Sequence, residues 1–410
     1  MIRKLALIAG LLCALAANAL PAAEKGAPLF ALPPLPEVDF PGHPTNLTYA
    51  LIGFPDGSAA LQATITPADL SKGVETTPQR LWLIRIDGAG QAGHWTRLPE
   101  LSAHEARATL GLDDGSVVFL YGGRGYIYLA KVDRSGRLLW EHYFDSGTYA
   151  GLIPPPIALA DGFAILEDYS GSCQLRRLDA NGVERWHVQM TDPRGSDTES
   201  IFCYPVMVAQ LADGGFMVLC NWENGALDRT DGWFLNIDPL GQVRGQRPLR
   251  AAAETGLALR DGTLAVFGFP DQIPAGPGHP HQGETDTETL MRFDATDGGL
   301  LRSDSAFFPE ELEPPWEPEA AGELVALPNG ELLVVAEARY DEPSDWFAAR
   351  IGEQDRVLWL RPLIGDRENP SLSIDGGTVV LANRQVLFAI NNYDEATDIA
   401  KATLRVLPLD

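Results

Sequence analysis

Sulfur is scarce in this chain, with four cysteines and five methionines among 410 residues. No two cysteines adjoin and no C-x-x-C pair occurs, so their spacing fits no zinc pattern. A G-x-S-x-G elbow, an H-E-x-x-H helix, a phosphate-binding P-loop and a D-x-D-x-D-G calcium loop are all missing. Positive charge is short too: 31 basic residues stand against 56 acidic ones, a formal charge of −25. Such a field repels a phosphate backbone, which excludes nucleic acid as a partner, and anionic membrane surfaces with it. Cationic ligands and basic partners remain compatible with it.

Long apolar runs are confined to the start. Arg3 and Lys4 precede an apolar stretch from Leu5 to Ala17, and small residues follow at Ala17 and Ala19. The run is shorter than the roughly 20 residues a transmembrane helix needs. A charged start, a short apolar core and an A-x-A end mark a secretory leader, so residues 1–19 are expected to be a signal peptide. The mature protein is expected in the periplasm or outside the cell, without a transmembrane segment. Prolines at 28, 33, 34, 36, 41 and 44 predict an extended arm over residues 20–44, because proline cannot donate to a β-ladder.

The remainder, 45–410, is repetitive. Asp-Gly or Asn-Gly pairs occur at Asp56, Asp114, Asp161, Asp213, Asp261, Asn329 and Asp375, spaced 46 to 68 residues apart. Each lies between apolar runs rich in β-branched residues, and such pairs supply the positive φ of tight hairpins. A second turn follows with Asp first and Gly fourth, as at Asp87–Gly90, Asp133–Gly136, Asp179–Gly182 and Asp238–Gly241. It is lengthened at Asp294–Gly298 and degenerate at Gly352–Asp355 and Asn391–Asp394. Trp95, Trp140, Trp186 and Trp359 close several repeats. Two hairpins per unit, repeated seven times, predict an all-β, seven-bladed β-propeller of four-stranded antiparallel blades. The blades are expected to begin near 45, 105, 155, 204, 255, 322 and 369.

The phrase Lys131-Val-Asp-Arg-Ser-Gly-Arg-Leu-Leu-Trp140, echoed at Arg177 to Trp186, resembles the repeats of quinoprotein-like (PQQ-like/WD40-like) bacterial β-propellers. The resemblance implies the fold and a Trp packed between blades. Quinone-binding members resemble one another in adjacent cysteines, which this chain lacks, so no cofactor is expected.

Propeller geometry puts the tight turns on one face and the long irregular segments on the other, where binding residues concentrate. Tyr149, Trp222, Asp231, Trp316, Tyr340 and Asp341 are the candidate ligand-binding residues there. Aromatics rimmed by carboxylates suit a cationic, sugar or peptide ligand. His279-Pro-His281 lacks a third ligand at any diagnostic distance and reads as a solvated loop, so no metal is expected. Counting across the Asp213-Gly214 turn puts Cys203 about opposite Cys220, predicting that disulfide, with Cys173 as the rival partner. The chain is read as an exported, monomeric, non-catalytic binding or scaffold module for a protein or small ligand. The alternative is an exported hydrolase, lyase or transferase with a site near the propeller axis.

Overall fold

In the computed structural model the described residues are 29–36, 45–67, 80–98, 106–123, 126–145, 154–169, 172–191, 201–224, 229–249, 251–259, 261–270, 289–304, 317–327, 329–339, 345–352, 355–363, 372–373, 377–394 and 399–409. Blade one holds β1 (Thr45–Gly53), β2 (Ala59–Pro67), β3 (Arg80–Ile86) and β4 (Thr96–Arg97). Blade two holds β5 (Ala106–Gly111), β6 (Val117–Gly123), β7 (Tyr126–Val132) and β8 (Leu138–Asp145). Blade three holds β9 (Ile157–Leu159), β10 (Gly162–Tyr169), β11 (Ser172–Asp179) and β12 (Glu184–Met190). Blade four holds β13 (Ile201–Gln210), β14 (Phe216–Asn224), β15 (Arg229–Ile237) and β16 (Val243–Pro248). Blade five holds β17 (Ala251–Ala258), β18 (Thr263–Pro270), β19 (Thr289–Asp294) and β20 (Leu300–Asp304). Blade six holds β21 (Glu317–Ala326), β22 (Leu332–Arg339), β23 (Asp345–Ile351) and β24 (Val357–Pro362). Blade seven holds β25 (Leu372–Ser373), β26 (Thr378–Val380), β27 (Gln385–Asp394) and β28 (Ile399–Pro408). Each blade is an antiparallel sheet, and the first strands of successive blades touch in an unbroken circle. This is a seven-bladed β-propeller, as the turn spacing predicts.

Burial follows from strand position. Middle strands such as β6 and β10 are apolar on both faces because a blade packs against a neighbour on each side. Outer strands alternate, as in the half-buried and exposed residues of β8 and β12. Buried side chains gather into seven clusters, each made of residues from two successive blades. The core is therefore seven interblade seams. Trp140 stacks on Phe163 of the next blade with ring centroids 6.1 Å apart, and Trp186 meets Phe216 edge-on at 5.7 Å. Gly182 and Gly241 admit these indoles, since a Cβ at either would stand 2.9 Å from the ring.

The tight-turn face is fastened chemically. In Asp133–Gly136 the Gly136 amide donates to the Asp133 carbonyl at 2.9 Å, while the Asp133 carboxylate accepts from the Ser135 and Arg137 amides. The third strand of most blades carries a polar residue two positions before that turn. Arg85 donates to Gly115 O at 2.7 Å, Asn236 to Thr296 O at 3.1 Å, and Arg350 to Leu409 O at 2.5 Å, each on the next blade. Arg292 pairs with Asp355 of the next blade at 2.7 Å. Asp355 has a φ of 56° and takes the left-handed conformation that glycine takes in other blades. The ring closes where Ala382 and Asn383 donate to Gly57 O and Gly88 O of blade one at 2.8 and 2.9 Å.

Blade seven departs from expectation. Its hairpin turn is not Asp375-Gly376, a pair outside the described residues, but Leu381–Gln385. There the Arg384 amide donates to Leu381 O at 3.0 Å and Arg384 itself takes the positive φ of 66°. Asn391–Asp394 is no turn either; it lies inside β27. The chain supplies only three strand positions here, because β25 and β26 both pair with β27 on the same side. The arm fills the fourth: Leu29 bridges Arg405, the Phe30 amide donates to Leu404 O at 2.8 Å, and Pro33 O accepts from the Trp95 indole at 2.9 Å.

The cysteine pairing also differs. The Asp213-Gly214 turn sets Gln210 opposite Phe216, and even with a one-residue bulge between Pro205 and Met207 Cys203 stands opposite Trp222 and Cys220 opposite Pro205. Cys203 instead bonds Cys173 of blade three across the seam, Cα to Cα 5.4 Å, leaving Cys220 a buried thiol. Trp222 is corrected with it. Strand β14 runs on to Asn224, so Trp222 shares the face of Phe216, Val218 and Cys220 and is only 2% exposed. Trp222→Ala is accordingly expected to cost about 3–5 kcal/mol, and Trp140→Ala or Trp186→Ala about 2–3, being half-buried. Urea titration of the three variants checks that order, and a Trp222→Ala protein as stable as wild type would contradict it.

Candidate functional site

Strand direction alternates, so every strand end not joined by a tight turn reaches the opposite rim. The strand ends that flank 68–79, 146–153, 192–200, 271–288, 305–316 and 340–344 all lie there. The 221–232 connection is shorter than expected, because β14 and β15 extend to leave only 225–228. Of the six candidate residues, Tyr149, Trp316, Tyr340 and Asp341 lie outside the described residues, as does His279-Pro-His281. The structure brings Trp222 and Asp231 together as register partners on β14 and β15, but Trp222 sits in the seam rather than in a loop.

Two ionisable clusters escape a sequence reading. Midway along the inner strand β21, Glu323 reaches toward Thr378 of β26, and its Oε2 is sealed from solvent without a hydrogen-bond donor. The Thr378 hydroxyl likewise lacks a well-aligned partner, though it and its amide lie close enough to favour the charged carboxylate. Removal from water dominates and pushes Glu323 up to about 7. Between blades two and three, the Arg176 guanidinium donates through Nε to Glu167 and through Nη1 to Glu184 at 2.5 Å. A third bond runs to Asp145 O at 2.8 Å, and the group lies over the Phe144 ring. His187 completes the network with Nδ1 2.6 Å from Glu184. Burial raises Glu167 to about 7 despite the opposing pull of Arg176, while the hydrogen bonds from His187 and Arg176 hold Glu184 below its ordinary range.

The chemistry of the two differs. Glu167 is consumed by its ion pair and serves the seam. Among the described residues Glu323 has no cationic partner, and it stands on a strand of the inner ring, so it can hold or release a proton near neutrality. A sequence signal existed for the first, a Glu closing the apolar run Gly162-Phe-Ala-Ile-Leu-Glu167. None existed for the second, because Ala-Gly-Glu-Leu does not say which strand lies innermost.

No family model matches this chain, and no curated protein matches it. Solved structures do, as β-propellers of low identity. The β-propeller domain of the Trilobed protease from Pyrococcus furiosus aligns at 10% identity over 91% of this chain and 97% of that one, TM-score 0.49. A Lactobacillus plantarum protein aligns at 9% over 89% and 99%, TM-score 0.49. A puromycin hydrolase aligns at 14% over 94% of this chain and 57% of that one, TM-score 0.48. The fold assignment rests on the strand pairing itself, and no activity is carried over from these proteins.

The raised Glu323 gives a pH dependence with a definite sign. Its folded value lies above that of an unfolded glutamate, so its contribution is fully present below about 4.5 and is lost as pH rises through about 7. Glu323→Gln keeps the shape of the protonated acid. Thermal melts at pH 5 and pH 8 are expected to show a smaller loss of stability at pH 8 for the variant than for wild type. An unchanged loss would place Glu323 in water.

Proposed function

We propose that the protein is an exported binding or scaffold module that presents its long-connection face to a protein or small ligand. The observation that carries this reading is an asymmetry between faces. One face is closed by hydrogen-bonded turns and stitched from blade to blade. The other holds the strand ends that flank the long connections, the arrangement that lets sequence-variable loops carry recognition. Residues 1–19 fit a cleaved leader, and the interblade disulfide fits an oxidising compartment. Work as a monomer without a cofactor belongs to the same reading.

Glu323 favours a second reading, an exported hydrolase, lyase or transferase whose site lies near the axis. A carboxyl poised near 7 on an inner strand is the kind of group a general acid–base step uses.

A face-specific photo-crosslink tests the main reading. A benzophenone side chain is placed at Thr66 or Ser172, at the long-connection rim, or at Ala89 or Ser135 in the turns. Adducts in the envelope fraction are expected from the rim positions and not from the turns. Adducts from the turn positions alone would overturn the proposal.

A further inference from the structure

The seam between blades three and four holds a chemistry that neither reading of the function uses. The Sγ atoms of Cys173 on β11, Cys203 on β13 and Cys220 on β14 all lie within 4.8 Å of one another. All three residues are 0% exposed. Around them stand Leu175, Val208, Val218, Trp222 and Leu235. A fourth sulfur belongs to the same cluster: Met190 pairs directly across from Cys173 on the neighbouring strand and is 1% exposed.

We propose that the reduced protein binds one copper(I) ion among the sulfurs of Cys173, Cys203 and Cys220, with the Met190 thioether beside them. Thiolate and thioether donors select soft ions, copper(I) foremost. Three ligands at metal–sulfur distances of about 2.3 Å stand about 4 Å apart, so the bonded sulfurs of Cys173 and Cys203 separate to that spacing once reduced, with Cys220 already within 4.8 Å of both. Zinc would seek a fourth, tetrahedral donor, and among the described residues no His, Asp or Glu joins the cluster. The apolar wall suits a low-coordinate ion by keeping water and hard oxygen donors out. Burial pushes the Cys220 thiol well above its ordinary range, an obstacle that a bound cation offsets.

The Cys173–Cys203 disulfide is the competing state of the same site. A dithiol reductant delivers two electrons and two protons to that bond and becomes its own disulfide, leaving three thiols. Copper(I) then displaces thiol protons, which pass to solvent. Oxidation therefore closes the site and reduction opens it. Because no sulfur is exposed, the ion enters as the seam forms during folding.

The test refolds the full chain anaerobically after dithiothreitol reduction and desalting, with one equivalent of copper(I), then desalts again and titrates with bicinchoninate. One copper per chain and a near-ultraviolet thiolate-to-copper band are expected. Cys220→Ser should weaken binding more than the roughly 10–100-fold that loss of an outer partner costs, whereas Met190→Leu should stay within that range. Far-ultraviolet circular dichroism confirms that each variant has folded, with Cys220→Ala standing in should the serine variant fail. Wild type that retains no more copper than the Cys173/Cys203/Cys220→Ser triple variant overturns the proposal. So does a folded Cys220 variant that binds as tightly as wild type.

Discussion

The contact between one blade and the next is the constraint on which the rest of this structure depends. A single four-stranded blade has two apolar faces and cannot bury either alone; seven blades in a circle bury all of them pairwise. The seven clusters are the outcome, each shared by two successive blades. Apolar packing alone permits sliding along a seam. Polar ties remove that freedom. Arg85, Asn236, Arg292 and Arg350 each reach the next blade at the turn face, and asparagines clasp peptides deeper in. Asn221 brackets the Ala253 backbone at 2.6 and 3.0 Å, and Asn391, its counterpart in blade seven, brackets Tyr49 at 2.8 and 3.1 Å.

Those ties explain why the two faces differ. Where turn, carboxylate cap and guanidinium interlock, insertions would break several bonds at once. These bonds lie away from the other rim, so connections there can lengthen without breaking them. The covalent and ionisable features follow the same division. The Cys173–Cys203 bond and the Arg176 network both sit within seams and join neighbouring blades. Glu323 stands apart, on the inner ring, where burial pushes its carboxyl toward the protonated form and no cation meets it among the described residues.

Much of the fold was legible because the turns need positive φ, which Asp-Gly and Asn-Gly announce in the chain. Blade seven was misread because Arg384 adopts that conformation without a glycine, and because its fourth strand position comes from Leu29, at the far end of the sequence from its partner Arg405. The disulfide was misjudged because the turn sets Gln210 opposite Phe216, which carries Cys203 past Cys220 to Trp222 even after a one-residue bulge at Pro205, and because a bond to the neighbouring blade leaves no mark in one hairpin. Trp222 followed from the same hairpin: alternation from Phe216 through Val218 and Cys220 puts it in the seam once β14 is known to continue. The interblade ties were in plain sight but unused, as Arg85-Ile-Asp87, Asn236-Ile-Asp238, Arg292-Phe-Asp294 and Arg350-Ile-Gly352. Glu323 could not be read, because nothing local marks the innermost strand. Of the candidate binding residues Trp222 alone is relocated, from a loop to the seam, while Tyr149, Trp316, Tyr340 and Asp341 lie outside the described residues.

If seams govern the molecule, loosening one tie must be felt on both of its sides. Arg292 belongs to blade five and its partner Asp355 to blade six, and the pair is largely buried, with side-chain exposures of 14% and 6%. Native-state hydrogen exchange on Arg292→Met reports both blades separately. The account predicts faster exchange in β19 and at the Gly352 and Arg356 amides together, with β6 and β7 of blade two unchanged. Faster exchange confined to blade five, with the blade-six turn as protected as in wild type, would contradict it.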